Sequence, residues 1–293
     1  MHTDLDLSNK GVEQLNKTIE EAKEIQYCNL SKNGIPDPTC LKELSNLIHL
    51  DLSNNKVKNV SCFTNEECFL NLKYLDLSSN KFNELAAFKC PKLEYIDISF
   101  NKIEKVNEGW TGHPTLKVFK SIDNKFKNLN AFKNMPKLQE LYLANNVIAS
   151  LTGVEGLSAL KKLHLRHNKI EKIEDEVPFE EMYPALEYLN LRTNKVPAME
   201  DVYKILKFPA LTDLNVLNCP CELAQSSMNI MICQVLSNQP SPKIKRFCKV
   251  EITDVNRLEA VYYADYQWRK AEEIRKEEER KKAEEAAAAE GDG

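Results

Sequence analysis

Leu47-Ile48-His49-Leu50-Asp51-Leu52-Ser53-Asn54-Asn55-Lys56-Val57 places apolar residues at 47, 50, 52 and 57 around Asn55, and the chain keeps returning to that spacing. Leu72, Leu75, Leu77, Asn80 and Phe82 repeat it, as do Leu93, Ile96, Ile98, Asn101 and Ile103. Leu138, Leu141, Leu143, Asn146 and Ile148 follow, then Leu160, Leu163, Leu165, Asn168 and Ile170, then Leu186, Leu189, Leu191, Asn194 and Val196. Weaker copies hold Ile25, Cys28, Leu30, Asn33 and Ile35, and Leu116, Phe119, Ser121, Asn124 and Phe126, while Leu211, Leu214, Val216 and Cys219 end the array. Successive asparagines from Asn33 to Asn194 lie 21 to 26 residues apart and average 23. A long amphipathic helix would carry i, i+3, i+4, i+7 over many turns; here i, i+3, i+5 restarts behind each asparagine.

That period lies in the range of leucine-rich repeats. One repeat cannot bury its own apolar face, so its short Leu-x-Leu strand must stack beside the next, at ~4.8 Å, in a parallel sheet. The expected fold is an α/β solenoid of nine or so strands, with the parallel sheet on the concave side, a helical C-terminal cap and a long charged C-terminal helix. The asparagine amide can donate and accept at once, which satisfies inward-pointing backbone groups from one turn to the next. Losing one such amide should cost roughly 1–3 kcal/mol. The first copy, Leu5-Asp6-Leu7-Ser8-Asn9-Lys10, has lysine at the asparagine position, as expected of a terminal repeat acting as a cap. The segments after Asn101 and Asn168 resemble the short SDS22-like subclass, which implies a 3₁₀ or short α segment on the convex side.

Composition narrows function further. The 293 residues are 42% hydrophobic and 29% charged with a formal net charge of −4, which excludes disorder throughout and any global pull toward nucleic acid or anionic membrane. The first residues show no secretory leader, and no run approaches the ~18 apolar residues of a membrane span, so a soluble intracellular protein is expected. Nine cysteines are read as reduced thiols by default. Cys219, Cys221, Cys233 and Cys248 leave open a disulfide-bonded cap as an alternative. The domains are expected at 1–219 for the repeats, 220–254 for the cap and 255–293 for the charged tail.

Side chains alternate along a strand, so Leu163 and Leu165 in the core put Lys162, His164 and Arg166 on the concave face. Extended to every repeat, the alternation divides this face. Asp51, Asp76 and Asp97 form a row flanked by Tyr74 and Tyr95; further on, Lys162, His164, Arg166 and Arg192 stand beside Tyr142 and Tyr188. Tyrosine and arginine are the side chains that most often anchor protein interfaces. The candidate partner-binding residues are therefore Tyr74, Asp76, Tyr95, Asp97, Tyr142, Lys162, His164, Arg166, Tyr188 and Arg192. Insertions at 61–71 and 174–181, the latter acidic, are further exposed candidates.

After Cys219 the leucine rhythm stops. Residues 226–236 read as an apolar helix covering the open end of the sheet, and a long helix is expected from Thr253 or Asp254. Val255, Leu258, Val261, Tyr262, Tyr266 and Trp268 would pack it on the solenoid. Beyond them Glu272 and Lys276, Glu277 and Lys281, and Glu278 and Lys282 stand at i,i+4 in the favourable order, and 291–293 should be disordered. No glycine-rich phosphate loop, nucleophile elbow or His-Glu-x-x-His motif occurs, and His164 and His167 point apart if the strand ends where expected. No enzyme, cofactor or metal site is expected.

Residues 135–146, with Leu141-Tyr142-Leu143-Ala144-Asn145-Asn146, then Leu163-His164-Leu165-Arg166-His167-Asn168, Tyr188-Leu189-Asn190-Leu191-Arg192 and Asn218-Cys219-Pro220-Cys221-Glu222, resemble the leucine-rich repeat subunits of ciliary radial spokes. The extra cysteine between Asn218 and Pro220 departs from that family. The resemblance implies a scaffold at the head of the third spoke of a ciliary or flagellar axoneme. Its partners would be other axonemal or spoke proteins in a large hetero-complex, with no direct nucleic acid and no membrane. A regulatory subunit of protein phosphatase 1, gripping the enzyme with its concave face, is the alternative; a spliceosomal scaffold finds no support in the charge distribution.

Overall fold

The computed structural model describes residues 3–15, 22–171, 173–174, 178–238 and 243–291. Ten three-residue strands, Asp4–Asp6, Tyr27–Asn29, His49–Asp51, Tyr74–Asp76, Tyr95–Asp97, Val118–Lys120, Glu140–Tyr142, Lys162–His164, Tyr188–Asn190 and Asp213–Asn215, pair in sequence order as a parallel sheet. Central residues align strand to strand, Leu50 on Leu75, Leu75 on Ile96, Leu163 on Leu189. From Cys28 to Leu214 every central side chain is buried, and the leucines two positions on line the same core. Leu5, on the outermost strand, is half-exposed, since no described strand pairs on its other side. The opposite flank carries 3₁₀ turns at Thr39–Glu43 and Ser61–Thr64, helical turns at Phe179–Met182 and Met199–Ile205, and a small parallel pair, Glu84–Leu85 with Lys105–Val106.

The asparagines behave as hydrogen-bonding rungs. Asn146 Nδ2 donates to the carbonyls of Ser121 at 2.8 Å and Leu143 at 3.1 Å, while its Oδ1 accepts from Phe126 N at 3.0 Å. One side chain thus ties its own turn to the preceding repeat. Asn55, Asn80, Asn124, Asn168 and Asn194 do the same. Asn33 binds the N-terminal repeat by accepting from Lys10 N and Val12 N, so Lys10 needs no side-chain amide of its own. Ser121, buried where a leucine is usual, accepts from Asn124 Nδ2 at 2.9 Å, which explains how a hydroxyl is tolerated there. Cys219 ends the ladder, its thiol donating to Leu191 O.

The residue before each ladder asparagine lies in the left-handed region, from Lys32 to Thr193 with φ between 54° and 57°. Asparagine or aspartate adopts that conformation cheaply, and Asn54, Asp123 and Asn145 occupy it; a β-branched side chain does not. Thr193 sits there at φ 57° with its buried Oγ1 unbonded. Thr193→Asn is expected to stabilise the protein by about 1 kcal/mol, raising the thermal midpoint by roughly 2–4 °C, and an unchanged or lower midpoint would refute the strain.

At the C-terminal end the edge is closed differently from the expectation. The apolar helix forms at Met228–Ser237, capped by Ser227 Oγ accepting from Ile230 N, and buries Met231, Ile232 and Val235. The sheet edge itself is covered by backbone: Arg246–Phe247 pairs parallel with Asp213–Asn215, and Val250–Glu251 folds back antiparallel. Unpaired edge N–H and C=O groups need backbone partners, which the apolar side chains of a helix cannot supply.

Helix Asp254–Gly291 starts with Thr253 Oγ1 accepting from Asn256 N. It docks on Met228–Ser237 through buried Ala260, with Gln234 Nε2 donating to Tyr263 Oη and Arg257 Nη2 to Ile244 O. Val255, Leu258, Val261, Tyr262, Tyr266 and Trp268 therefore do not pack on the solenoid as expected; they remain 57–68% exposed. The helix is rotated so that small Ala260 lets the two backbones approach, which puts the large apolar residues outside. Farther along, Glu272 pairs with Lys276 and Glu277 with Lys281. Of the acidic insertion, 175–177 lie outside the described residues, as do 292–293 of the expected disordered end.

No disulfide joins any of the nine cysteines, so the disulfide-bonded cap does not form. Cys28, Cys62 and Cys90 fill core positions, and burial pushes their thiols up to about 12.

Candidate functional site

Because each strand buries its central side chain, the first and third residues form two parallel columns on the concave wall. In the first, Tyr27, His49, Tyr74 and Tyr95 lie on successive strands; His49 stacks on Tyr74 at 4.0 Å and Tyr74 on Tyr95 at 4.2 Å. In the second, Tyr142 and His164 stack at 4.3 Å, and His164 also meets Tyr188 at 4.8 Å. Lys120 joins the two stacks, its Nζ 5.1 Å from the Tyr95 ring and 5.5 Å from the Tyr142 ring. An aromatic seam thus runs from Tyr27 to Tyr188. Stacking fixes the rings in place, so little side-chain entropy remains to be lost when something binds against them.

Charge is distributed unevenly along that seam. Asp51, Asp76 and Asp97 stand in register on three consecutive strands. Each carboxylate accepts from the backbone N–H two residues on, at Ser53, Ser78 and Ser99, and so turns the chain out of the strand. Burial holds the Asp76 carboxyl above its usual range, and the neighbouring Asp97 and Asp51 add to the rise. In the other half Glu140 accepts from Tyr142 Oη at 2.6 Å and from Lys162 Nζ at 2.8 Å. Lys162 is thereby neutralised, whereas Arg166 is exposed and without a salt-bridge partner among the described residues. Arg192 is half-buried beside Tyr188 and Asn190, its Nε without a hydrogen bond.

All ten expected residues therefore line the strand face, in two groups separated by the repeat that carries Lys120. Lys120, His49, Arg246 and Lys249 were not singled out from the sequence. Strand alternation already puts the first two on the concave face, but only the register shows the rings they meet, and the last two lie past the end of the leucine rhythm. His164 and His167 are separated by geometry: the first is stacked between tyrosines, the second occupies the left-handed turn before Asn168. Among the described residues no group of three or more His, Cys, Asp or Glu is placed to hold a metal, and no helix is long and apolar enough to cross a membrane. A hollow of about 340 Å³ between Glu66, Trp110 and His113 lies among loops, away from the strand face.

Burial holds His164 down at about 4, against a smaller raising effect of Glu140. Burial also holds His113 at about 4, opposed by its bond to Cys90 O. An unfolded histidine takes up its proton near pH 6.5, so at pH 5 the unfolded chain binds protons that the fold refuses. Stability is accordingly expected to be complete above pH 6.5 and to fall as pH drops toward 4. In denaturant titrations across that range His164→Gln should flatten part of the fall; an identical pH profile would show that His164 is already protonated in the fold.

The strand register, the asparagine ladder and the repeat spacing define the leucine-rich repeat fold. Family models described as Leucine rich repeat match residues 91–148 and 123–170, and Leucine Rich repeats (2 copies) match 70–110. The chain is similar to leucine-rich repeat-containing protein 23 of Bos taurus, 29% identical over 256 residues, 86% of this chain and 67% of that protein. It is also 33% identical to lumican of Mus musculus over 160 residues, 51% of this chain, and spans only 44% of that relative's length. Among solved structures the functional domain of InlJ from Listeria monocytogenes superposes with a TM-score of 0.58 at 19% identity, covering 87% of this chain and 56% of that one. At that identity it is the fold that is shared.

Proposed function

We propose that this chain is a non-enzymatic scaffold that grips other proteins along its concave wall. We assign it to the cytoskeleton of the cilium or flagellum, as a radial spoke component of the axoneme that contributes to assembly and motility. The observation that carries the scaffold reading is the pre-stacked aromatic seam from Tyr27 to Tyr188 with acidic and basic charge at opposite ends. Rigid aromatic side chains supply contact area at low entropic cost, and the charge asymmetry sets the direction in which a partner lies. The assignment to a spoke rests on similarity to leucine-rich repeat-containing protein 23 across 86% of the chain. Its partners are accordingly other axonemal or spoke proteins in a large hetero-complex.

A tagged full chain expressed in a ciliated cell is expected to lie along the axoneme and to copurify with spoke proteins after detergent extraction. Location outside the axoneme, or copurification of protein phosphatase 1 without axonemal proteins, would overturn the assignment.

A further inference from the structure

The concave wall ends, beyond the last stacked tyrosine, in a notch of about 200 Å³ lined by Arg166, Arg192, Arg246 and Lys249 together with Tyr188 and Asp213. Arg246 and Lys249 enter it only because the strand Arg246–Phe247 extends the sheet past the last repeat. Four cations thus face one small volume with one carboxylate among them. That carboxylate is already engaged, since Arg246 Nη1 donates to Asp213 Oδ2 at 3.1 Å. Three cations are left without an opposing charge in the notch.

Two further observations show what the notch lacks. Arg192 Nε is buried and makes no hydrogen bond, although a guanidinium satisfies itself most fully when two of its N–H groups face an anion side by side. The positive field reaches the adjoining turn, where His167 is held below its usual range by burial first and then by Arg166 and Arg192. Like charges at close range carry an energetic cost, which an anion seated in the notch would remove.

We propose that this notch receives a phosphorylated side chain on an extended segment of the partner bound along the concave wall. A carboxylate brings one negative charge and two oxygens, whereas a phosphomonoester brings about −1.5 to −2 and three acceptor oxygens, closer to the three uncompensated cations. The rest of the wall sets the class of ligand. Asp51, Asp76 and Asp97 at the other end repel a continuous polyanion or a flat anionic membrane, but tolerate a peptide charged at one position only. The proposal rests on the concave wall being the partner interface, and its test separates the two.

The full chain is immobilised and exposed to three mixtures of eleven-residue peptides with randomised flanks and a central phosphoserine, serine or glutamate. The phosphoserine mixture is expected to be retained at least tenfold over serine and several-fold over glutamate, and to be displaced by inorganic phosphate and by salt. Arg192→Gln should reduce that preference tenfold or more. Because Arg192 is half-buried, the exposed pair Arg166→Gln and Lys249→Gln, made together and checked by circular dichroism, should do the same without touching the core. Equal retention of phosphoserine and serine mixtures overturns the proposal, as does a preference that survives the paired substitution. Capture of phosphoinositide-containing vesicles in place of peptides would also overturn it. If the serine mixture binds and loses affinity on Tyr95→Ala, the wall remains an interface and only the phosphate reading falls. Retention of no mixture overturns both.

Discussion

Replacing Asn146 by alanine is expected to lower the free energy of unfolding by roughly 1–3 kcal/mol. The side chain is 6% exposed and bonds Ser121 O, Leu143 O and Phe126 N; Leu143 O also accepts from Asn168 Nδ2 at 2.9 Å, so Ser121 O and Phe126 N are the groups its loss leaves unpaired. Each buried group left unsatisfied costs about 1–3 kcal/mol, and their effects overlap because they share one site. Asn101 provides the internal control. Its Nδ2 donates to Leu77 O and Ile98 O, but its Oδ1 accepts nothing. Asn101→Ala should therefore cost about 1 kcal/mol less than Asn146→Ala. Urea titrations followed by circular dichroism measure both, and equal losses, or a loss below 1 kcal/mol at Asn146, would show that the ladder does not hold the repeats together. In a solenoid each repeat contacts only its neighbours, so protection of amides in the repeats beside Asn146 should fall first in hydrogen exchange.

Reversing Arg166 and Arg192 to glutamate together is expected to weaken capture of the copurifying partner by roughly 100-fold or more, because each change removes an attraction and adds a repulsion. Arg166 is exposed and Arg192 half-buried on the concave wall, and among the described residues no salt bridge involves either; circular dichroism of the double variant checks that the fold is kept. The double reversal Lys276→Glu with Lys281→Glu on the tail helix alters the same number of charges far from that wall. It should leave capture within about threefold of the unaltered chain, since exposed i,i+4 pairs contribute little. Comparable losses from both double variants in quantitative pull-down would mean that net charge, not the concave wall, governs association.

The exposed apolar face of the tail helix shows where one-dimensional pattern falls short. Val255, Leu258, Val261, Tyr262, Tyr266 and Trp268 have the spacing of a buried stripe, yet Ala260 is the residue that meets the cap helix. Periodicity identifies an apolar face but not whether a larger neighbour or a closer backbone approach claims the other side. Cys219, Cys221, Cys233 and Cys248 are a similar case: their spacing permits a cross-linked cap, and their placement in the core as thiols excludes one.

From its sequence alone this chain was bound to be a stack of parallel strands with an asparagine rung in each turn, because spacing of leucine and amide is a local property repeated until no other packing can satisfy it. Which side chains face the concave wall followed from strand alternation, and all ten candidate residues lie there. Tertiary structure alone decided how those side chains meet. Lys120 bridges two tyrosine stacks, Glu140 neutralises Lys162, and Arg246 and Lys249 arrive from an edge strand outside the repeat rhythm to join Arg166 and Arg192. The reason is distance along the chain: these contacts join residues one to several repeats apart, and register between strands is a property of the assembled sheet, written in no single segment.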